Sequence, residues 1–89
     1  MNQPSTNTHQ TAREAVTDVL AQVAPGTDPG ALAPDADLRL ELDLDSMDFL
    51  AFVVGLDQRL GVAVPEEDYP RLTTVGSAVD YLVARLPVA

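Results

Sequence analysis

Apolar residues return along this chain at helical intervals in three separate stretches. Val16, Val19, Leu20 and Val23 mark the first. Thr11 stands three residues before Glu14, a capping-box spacing, so a first helix is predicted from about Ala12 to Ala24, closed by Pro25 and Gly26. The residues before it, Met1 to Gln10, are polar and contain Pro4 and the only histidine, His9; they are predicted to be a disordered tail, leaving 11–87 as one helical domain.

Between Pro25 and Leu44 no period of helical length is found, and Pro25, Pro29, Pro34, Gly26 and Gly30 predict a long connection. Within it Leu38, Leu40, Leu42 and Leu44 alternate with Arg39, Glu41 and Asp43, the pattern of a strand. A single strand has nothing to pair with, so an extended loop pinned down by its leucines is expected. Asp45 is a good N-cap, Asp48 lies in the first turn, and Gly61 can close the segment, so a second helix is predicted over Ser46 to Leu60. Phe49, Phe52, Val53, Leu56 and Leu60 mark one face, and Met47, Leu50 and Val54 repeat the spacing on a neighbouring face. That apolar arc exceeds the stripe of about 100° that a core requires, which leaves extra burial or a contact surface as its use. Val62 to Val64 return the chain, Pro65 to Tyr69 predict a short helical turn ended by Pro70, and Thr74 caps a last helix with Val75, Ala78, Val79, Leu82 and Leu86 inward, stopped at Pro87.

Composition narrows the function classes. With 89 residues there is room for one small core, and with only two Phe and two Tyr that core must be built from Leu, Val and Ala. The absence of cysteine removes disulfides, thiolate nucleophiles and cysteine-based zinc sites. A net charge of -9, from fourteen carboxylates against five arginines and no lysine, makes nucleic acid a poor partner and a basic protein a natural one. No apolar run is long enough to cross a membrane, and no signal-peptide pattern opens the chain, so a cytoplasmic, monomeric protein without membrane insertion is expected.

Ser46 is the residue that invites chemistry. A hydrolytic serine needs a base and a group to orient it; the one histidine lies in the tail, no lysine exists, and the neighbours of Ser46 are carboxylates. It can instead be an ordinary helix-start residue. A third reading makes its hydroxyl the acceptor of a modification, whose phosphate would lie at a helix N-terminus beside unpaired backbone N–H groups. The carboxylates between Asp35 and Asp48 do not form an EF-hand loop: a register from Asp35 places Arg39 at position five and Leu40 at six, and one from Glu41 places Ser46 at six and Phe52 at twelve. No dedicated metal site is expected.

Leu42-Asp43-Leu44-Asp45-Ser46-Met47-Asp48, followed by an apolar helix, resembles the phosphopantetheine attachment segment of acyl carrier proteins, with Asp45-Ser46-Met47 in place of the family's Asp-Ser-Leu. Gly61 to Pro65 and Leu72-Thr73-Thr74-Val75 through Tyr81-Leu82 resemble later parts of the same family, so the likeness runs from about Ala12 to Leu86. The resemblance implies an all-α four-helix bundle of three long helices and one short one, with a long loop between helices one and two. It implies a non-catalytic carrier whose covalent 4'-phosphopantetheine, moved from coenzyme A to Ser46 by a phosphopantetheinyl transferase, holds acyl groups as thioesters. Carried over by position, Asp45, Met47, Asp48, Leu50 and Val54 would meet acyl-loading and acyl-processing enzymes with basic docking surfaces.

Two positions depart from the family pattern. Asp43 stands where glycine is frequent, and Ala51, Gly55, Gln58 and Arg59 stand on a helix side that is commonly acidic. This points toward a specialised polyketide, fatty-acid or other secondary-metabolite pathway. The alternative class is an unmodified acidic helical adaptor that binds a basic protein through the second helix. Met47 is read equally as packing filler or partner contact, Phe49 and Phe52 as core, Arg59 as a solvated helix-end charge, and Glu66, Glu67 and Asp68 as the solvated turn of a short helix.

Overall fold

The structure, a computed structural model, describes residues 4–86 and the side chains of 8–86. Among the described residues four α-helices follow in order: α1 (Pro4–Val23), α2 (Leu38–Glu41), α3 (Ser46–Leu60) and α4 (Val75–Val83), with 3-10 segments at Pro29–Ala31 and Glu66–Leu72. Helix α1 packs against both α3 and α4, and the Glu66–Leu72 segment packs against α4. This is the helical bundle with a long first connection that the sequence predicts.

Helix α1 begins eight residues sooner than the predicted start at Ala12, so Pro4 to Gln10 of the expected tail is helical, while Met1 to Gln3 lie outside the described residues. Pro4 suits a first helical position, where its missing N–H would have no intrahelical partner. The buried face explains the rest. Thr8 is buried, and Ala12, Ala15, Val16, Val19 and Leu20 continue its stripe at helical spacing. The first turn of that stripe is held by a threonine, which a search for aliphatic positions passes over. Thr11 is therefore an exposed residue inside α1 and not its cap.

Gly26 adopts a left-handed φ of 87°, which turns the chain out of α1. The connection is then tied down from the far side of the fold. The Gly76 N–H donates to the Pro34 carbonyl at 2.8 Å, and the Leu38 N–H to the Thr73 carbonyl at 2.9 Å. The leucines that follow do not form the expected extended loop. Asp37 accepts hydrogen bonds from the N–H groups of Arg39 and Leu40, at 3.0 and 3.1 Å, and winds Leu38–Glu41 into one helical turn. Leu38 and Leu42, four apart, are thereby buried together, and Leu40 is turned out to 79% exposure. Asp43 then takes φ 54°, and the change of direction buries Leu44.

Helix α3 has the predicted bounds because both ends are set locally. Asp45 and Asp48 form a reciprocal capping box at its start, and Gly61, at φ 70°, ends it with its N–H on the Asp57 carbonyl at 2.7 Å. Phe49, Phe52, Val53 and Leu56 are buried. Gly55, expected on the exposed side, instead faces α1 so closely that an added Cβ would lie 2.6 Å from Val19 Cγ1. Arg59 is more than a solvated charge, since it pairs with Asp18 of α1 at 2.8 Å.

Val62 and Val64 are buried on the return. The 3-10 segment continues through Pro70 to Leu72, where the sequence predicts that Pro70 ends it. Asp68 is not simply solvated: it accepts the Tyr81 hydroxyl at 2.6 Å and lies 3.5 Å from the Arg85 guanidinium. Helix α4 starts at the Thr74 cap and buries Val75, Ala78, Val79, Tyr81 and Leu82. Leu86 packs partly buried against this core, and Pro87 lies outside the described residues.

Candidate functional site

Ser46 is the first helical residue of α3 and is exposed. Its position follows from the capping box: the Asp45 carboxylate accepts the Asp48 N–H at 2.8 Å, and the Asp48 carboxylate accepts the Asp45 N–H at 3.3 Å. Both carboxylates are thus held at the helix entrance. Among the described residues the Ser46 hydroxyl and the N–H groups of Ser46 and Met47 make no hydrogen bond to protein. These are the orphan donors of a helix start, and they favour negative charge.

Beside Ser46 an open groove of about 300 Å³ is lined by Arg39, Ser46, Phe49, Leu50, Glu66 and Tyr69. A second hollow of about 190 Å³ shares Arg39, Phe49 and Tyr69 and adds Pro70 and Thr73. Three elements make these walls: the α2 turn, the first turns of α3 and the Glu66–Leu72 segment. Aromatic edges hold the floor. The Phe49 ring meets Phe52 edge-on at 6.0 Å between centroids and Tyr69 at 5.6 Å, while the Arg39 guanidinium lies 5.7 Å from the Phe49 centroid. Phe49 and Phe52 are core residues, as the sequence predicts, and Phe49 also offers an edge to the groove.

Met47, Leu50 and Val54 lie on the outer side of α3 at 74%, 44% and 46% exposure. At spacings of three and four they form one apolar strip that starts next to Ser46. Asp45 is exposed and Asp48 half-buried at the head of that strip, so the six residues singled out from the sequence share one region. Arg39, Glu66 and Tyr69 were not among them. Arg39 looks like a polar spacer in a leucine alternation, and Tyr69 lies 23 positions beyond Ser46, so no local signal joins them.

His9 is exposed on α1 and does not line the groove, and among the described residues no imidazole or amine lines the Ser46 wall. Among the described residues no group of three or more His, Asp or Glu side chains is placed to hold a metal ion, and no helix is long and apolar enough to cross a membrane. What the site offers is an accessible hydroxyl whose surroundings suit an anionic substituent: two free N–H donors at a helix start and one guanidinium in the adjoining groove.

Comparison with known proteins agrees with that chemistry. Residues 13–82 match the family model for the phosphopantetheine attachment site. An acyl carrier protein of Tropheryma whipplei (strain Twist) is 33% identical over 76 residues, which cover 82% of this chain and 93% of that one. Another, from Rubrobacter xylanophilus, is 36% identical over 58 residues, 65% of this chain and 72% of its own length. A third, from Acidothermus cellulolyticus, is 32% identical over 65 residues, 73% of this chain and 76% of that one. The chain belongs to the acyl carrier protein family, non-catalytic carriers with a covalently attached 4'-phosphopantetheine prosthetic group.

Proposed function

We propose that Ser46 is the residue that receives the phosphopantetheine arm, and that the chain carries acyl groups as thioesters on that arm between enzymes of a specialised pathway. The observation that carries this reading is the exposed Ser46 hydroxyl at the first position of α3, flanked by N–H groups that no acceptor among the described residues uses. In the loading step the Ser46 oxygen forms a bond to the phosphorus of coenzyme A that bears the pantetheine. The bond to the adenosine phosphate breaks, and the hydroxyl proton leaves with the transferase's base. The arm supplies the thiol that a chain without cysteine lacks.

Asp45, Met47, Asp48, Leu50 and Val54 serve, in this reading, as the surface that partner enzymes contact. The apolar strip supports that role, since exposed Met47, Leu50 and Val54 gain by being covered. The electrostatic share of the contact is small along α3: Asp45 and Asp48 already cap the helix, and Arg59 is paired with Asp18. A partner that relies on a continuous acidic helix is poorly matched, which favours dedicated enzymes of a polyketide, fatty-acid or other secondary-metabolite system with smaller basic patches. A phosphopantetheinyl transferase is the first partner. The carrier works as a monomer in the cytoplasm.

Intact-protein mass after incubation with coenzyme A, magnesium and a broad-specificity transferase tests the reading. One phosphopantetheinyl mass is expected on the wild type and none on Ser46→Ala. No gain on the wild type, with a competent transferase, overturns the proposal in favour of an unmodified adaptor that docks through α3.

A further inference from the structure

Among the described residues Arg39 is the one arginine that lines the groove beside Ser46. Arg59 pairs with Asp18 and Arg85 with Asp68, whereas Arg13, Arg39 and Arg71 make no ion pair among the described residues, and Arg71, with Arg85, lies over the Tyr81 ring. Arg39 pairs with no carboxylate among the described residues, although the chain has fourteen and Glu41 and Asp43 are near it in sequence. Its guanidinium lies instead over Phe49, in the wall of the groove that contains Ser46. The backbone beneath it is fixed on both sides, because the Arg39 N–H donates to Asp37 at 3.0 Å and the Arg39 carbonyl accepts the Leu44 N–H at 3.0 Å.

We propose that Arg39 docks the arm: its guanidinium pairs with the phosphodiester on Ser46 and directs the pantetheine into the groove along Phe49, Leu50 and Tyr69. The inference rests on Ser46 being the attachment residue. A phosphodiester and a guanidinium both stay charged across the physiological range, and the guanidinium fork fits phosphate oxygens. The Asp45 and Asp48 carboxylates are held at the same helix entrance, so without Arg39 their repulsion drives the arm toward solvent. Past the phosphate, the groove offers apolar surface from Phe49, Leu50 and Tyr69, and the Glu66 carboxylate can accept from amide or hydroxyl donors of the arm. The hollow at Pro70 and Thr73 extends that path.

An exposed ion pair changes the ratio of docked to extended arm by about fivefold at most. That weakness suits a carrier. A basic partner surface competes for the same phosphate and frees the arm, whereas a buried pair would retain it. Salt weakens the docking in the same way, since the pair is open to solvent.

The test uses isotope-labelled protein loaded with the arm, with one arm on Ser46 checked by mass and peptide mapping. Chemical shifts of the loaded and unloaded forms are compared for wild type, Arg39→Gln and Arg39→Lys, together with a salt titration of loaded wild type. In the wild type, shifts are expected at Phe49, Leu50, Tyr69 and Thr73, with cross-relaxation between the arm's methyl groups and the Phe49 and Tyr69 rings. Arg39→Gln reduces these about fivefold, Arg39→Lys retains part of them, and 0.5 M salt reduces them in the wild type, with both variants still melting as cooperatively folded chains although Arg39→Gln gives up the contact with the Phe49 ring. Shifts confined to 45–48 in the wild type, or groove shifts indifferent to salt and to Arg39→Gln, overturn the inference while leaving Ser46 as the attachment residue. A chain that takes no arm on Ser46 overturns both readings.

Discussion

The interior shared by α1, α3 and α4 and the rim around Ser46 are built from similar residues to opposite ends. Phe52, Leu20, Leu56 and Leu82 are fully enclosed inside, whereas Leu40 and Met47 at the rim are mostly exposed. Inside, position is set by close packing over many small contacts, which is insensitive to any single polar group. At the rim, position is set by a few directed hydrogen bonds: Asp37 to the α2 turn, Asp45 and Asp48 to each other's N–H groups. The interior thus carries the stability, and the rim holds one hydroxyl in a fixed, accessible place. A carrier needs both, since the surface that partners cover cannot also be buried in the core.

The contrast is sharpest between two leucines. Leu56→Ala, in the interior, is expected to lower unfolding free energy by about 2–5 kcal/mol, a large share of what a small domain has. Leu40→Ala at the rim should change it by less than about 0.5 kcal/mol. Urea melts of the two variants check this, and equal losses would break the division.

Gly55→Ala comes next. The new methyl meets Val19 Cγ1, so a loss of about 1–3 kcal/mol is expected even though alanine is the better helix former. The double variant Val19→Ala/Gly55→Ala should recover part of it, as a double-mutant cycle would register. Additive losses would mean that α1 and α3 do not touch there.

Tyr81→Phe removes the hydrogen bond to Asp68 and is expected to cost about 1–2 kcal/mol at neutral pH. Burial, and then the bond to Asp68, raise the Tyr81 phenol above its ordinary value of 10.0, against the opposing pull of Arg85. The folded chain therefore holds this proton more tightly than the unfolded chain. Its contribution is full below pH 10 and is lost as pH rises through the raised value. Chemical melts between pH 8 and 12 should fall more steeply for the wild type than for Tyr81→Phe.

At the rim, Asp43→Val puts a β-branched side chain where φ is 54° and should lose about 1–2 kcal/mol, whereas Asp43→Gly should lose nothing and gain up to about 1 kcal/mol. The smallest effect expected is that of salt. At a net charge of -9, moderate salt or divalent cations should raise the melting temperature through relief of self-repulsion, and a flat salt titration at neutral pH would exclude that contribution.

Much of this was legible in the chain. The bounds of α3 and the start of α4 follow from caps written in neighbouring residues: Asp45 with Asp48, Gly61, and Thr74. The serine at the head of an apolar helix was legible for the same reason. The start of α1 was hidden because Thr8 holds its first buried turn, and the α2 turn because leucines two apart suit a strand until Asp37 caps the segment. The left-handed backbone at Asp43, a conformation that glycine adopts without steric cost, has no signal in the residue itself.

Periodicity, caps and the 42–48 motif determined by themselves an all-helical domain, its main helix and the serine exposed at that helix's start. Those signals act within one or two turns, so local sequence contains them. Only the tertiary structure turned Gly55 toward Val19 and Leu40 toward water, and only it brought Arg39, Glu66 and Tyr69 to the groove beside Ser46. Neighbours across such a groove are chosen by how packed helices orient the loops between them. That choice belongs to the folded core as a whole and to no single stretch of the chain.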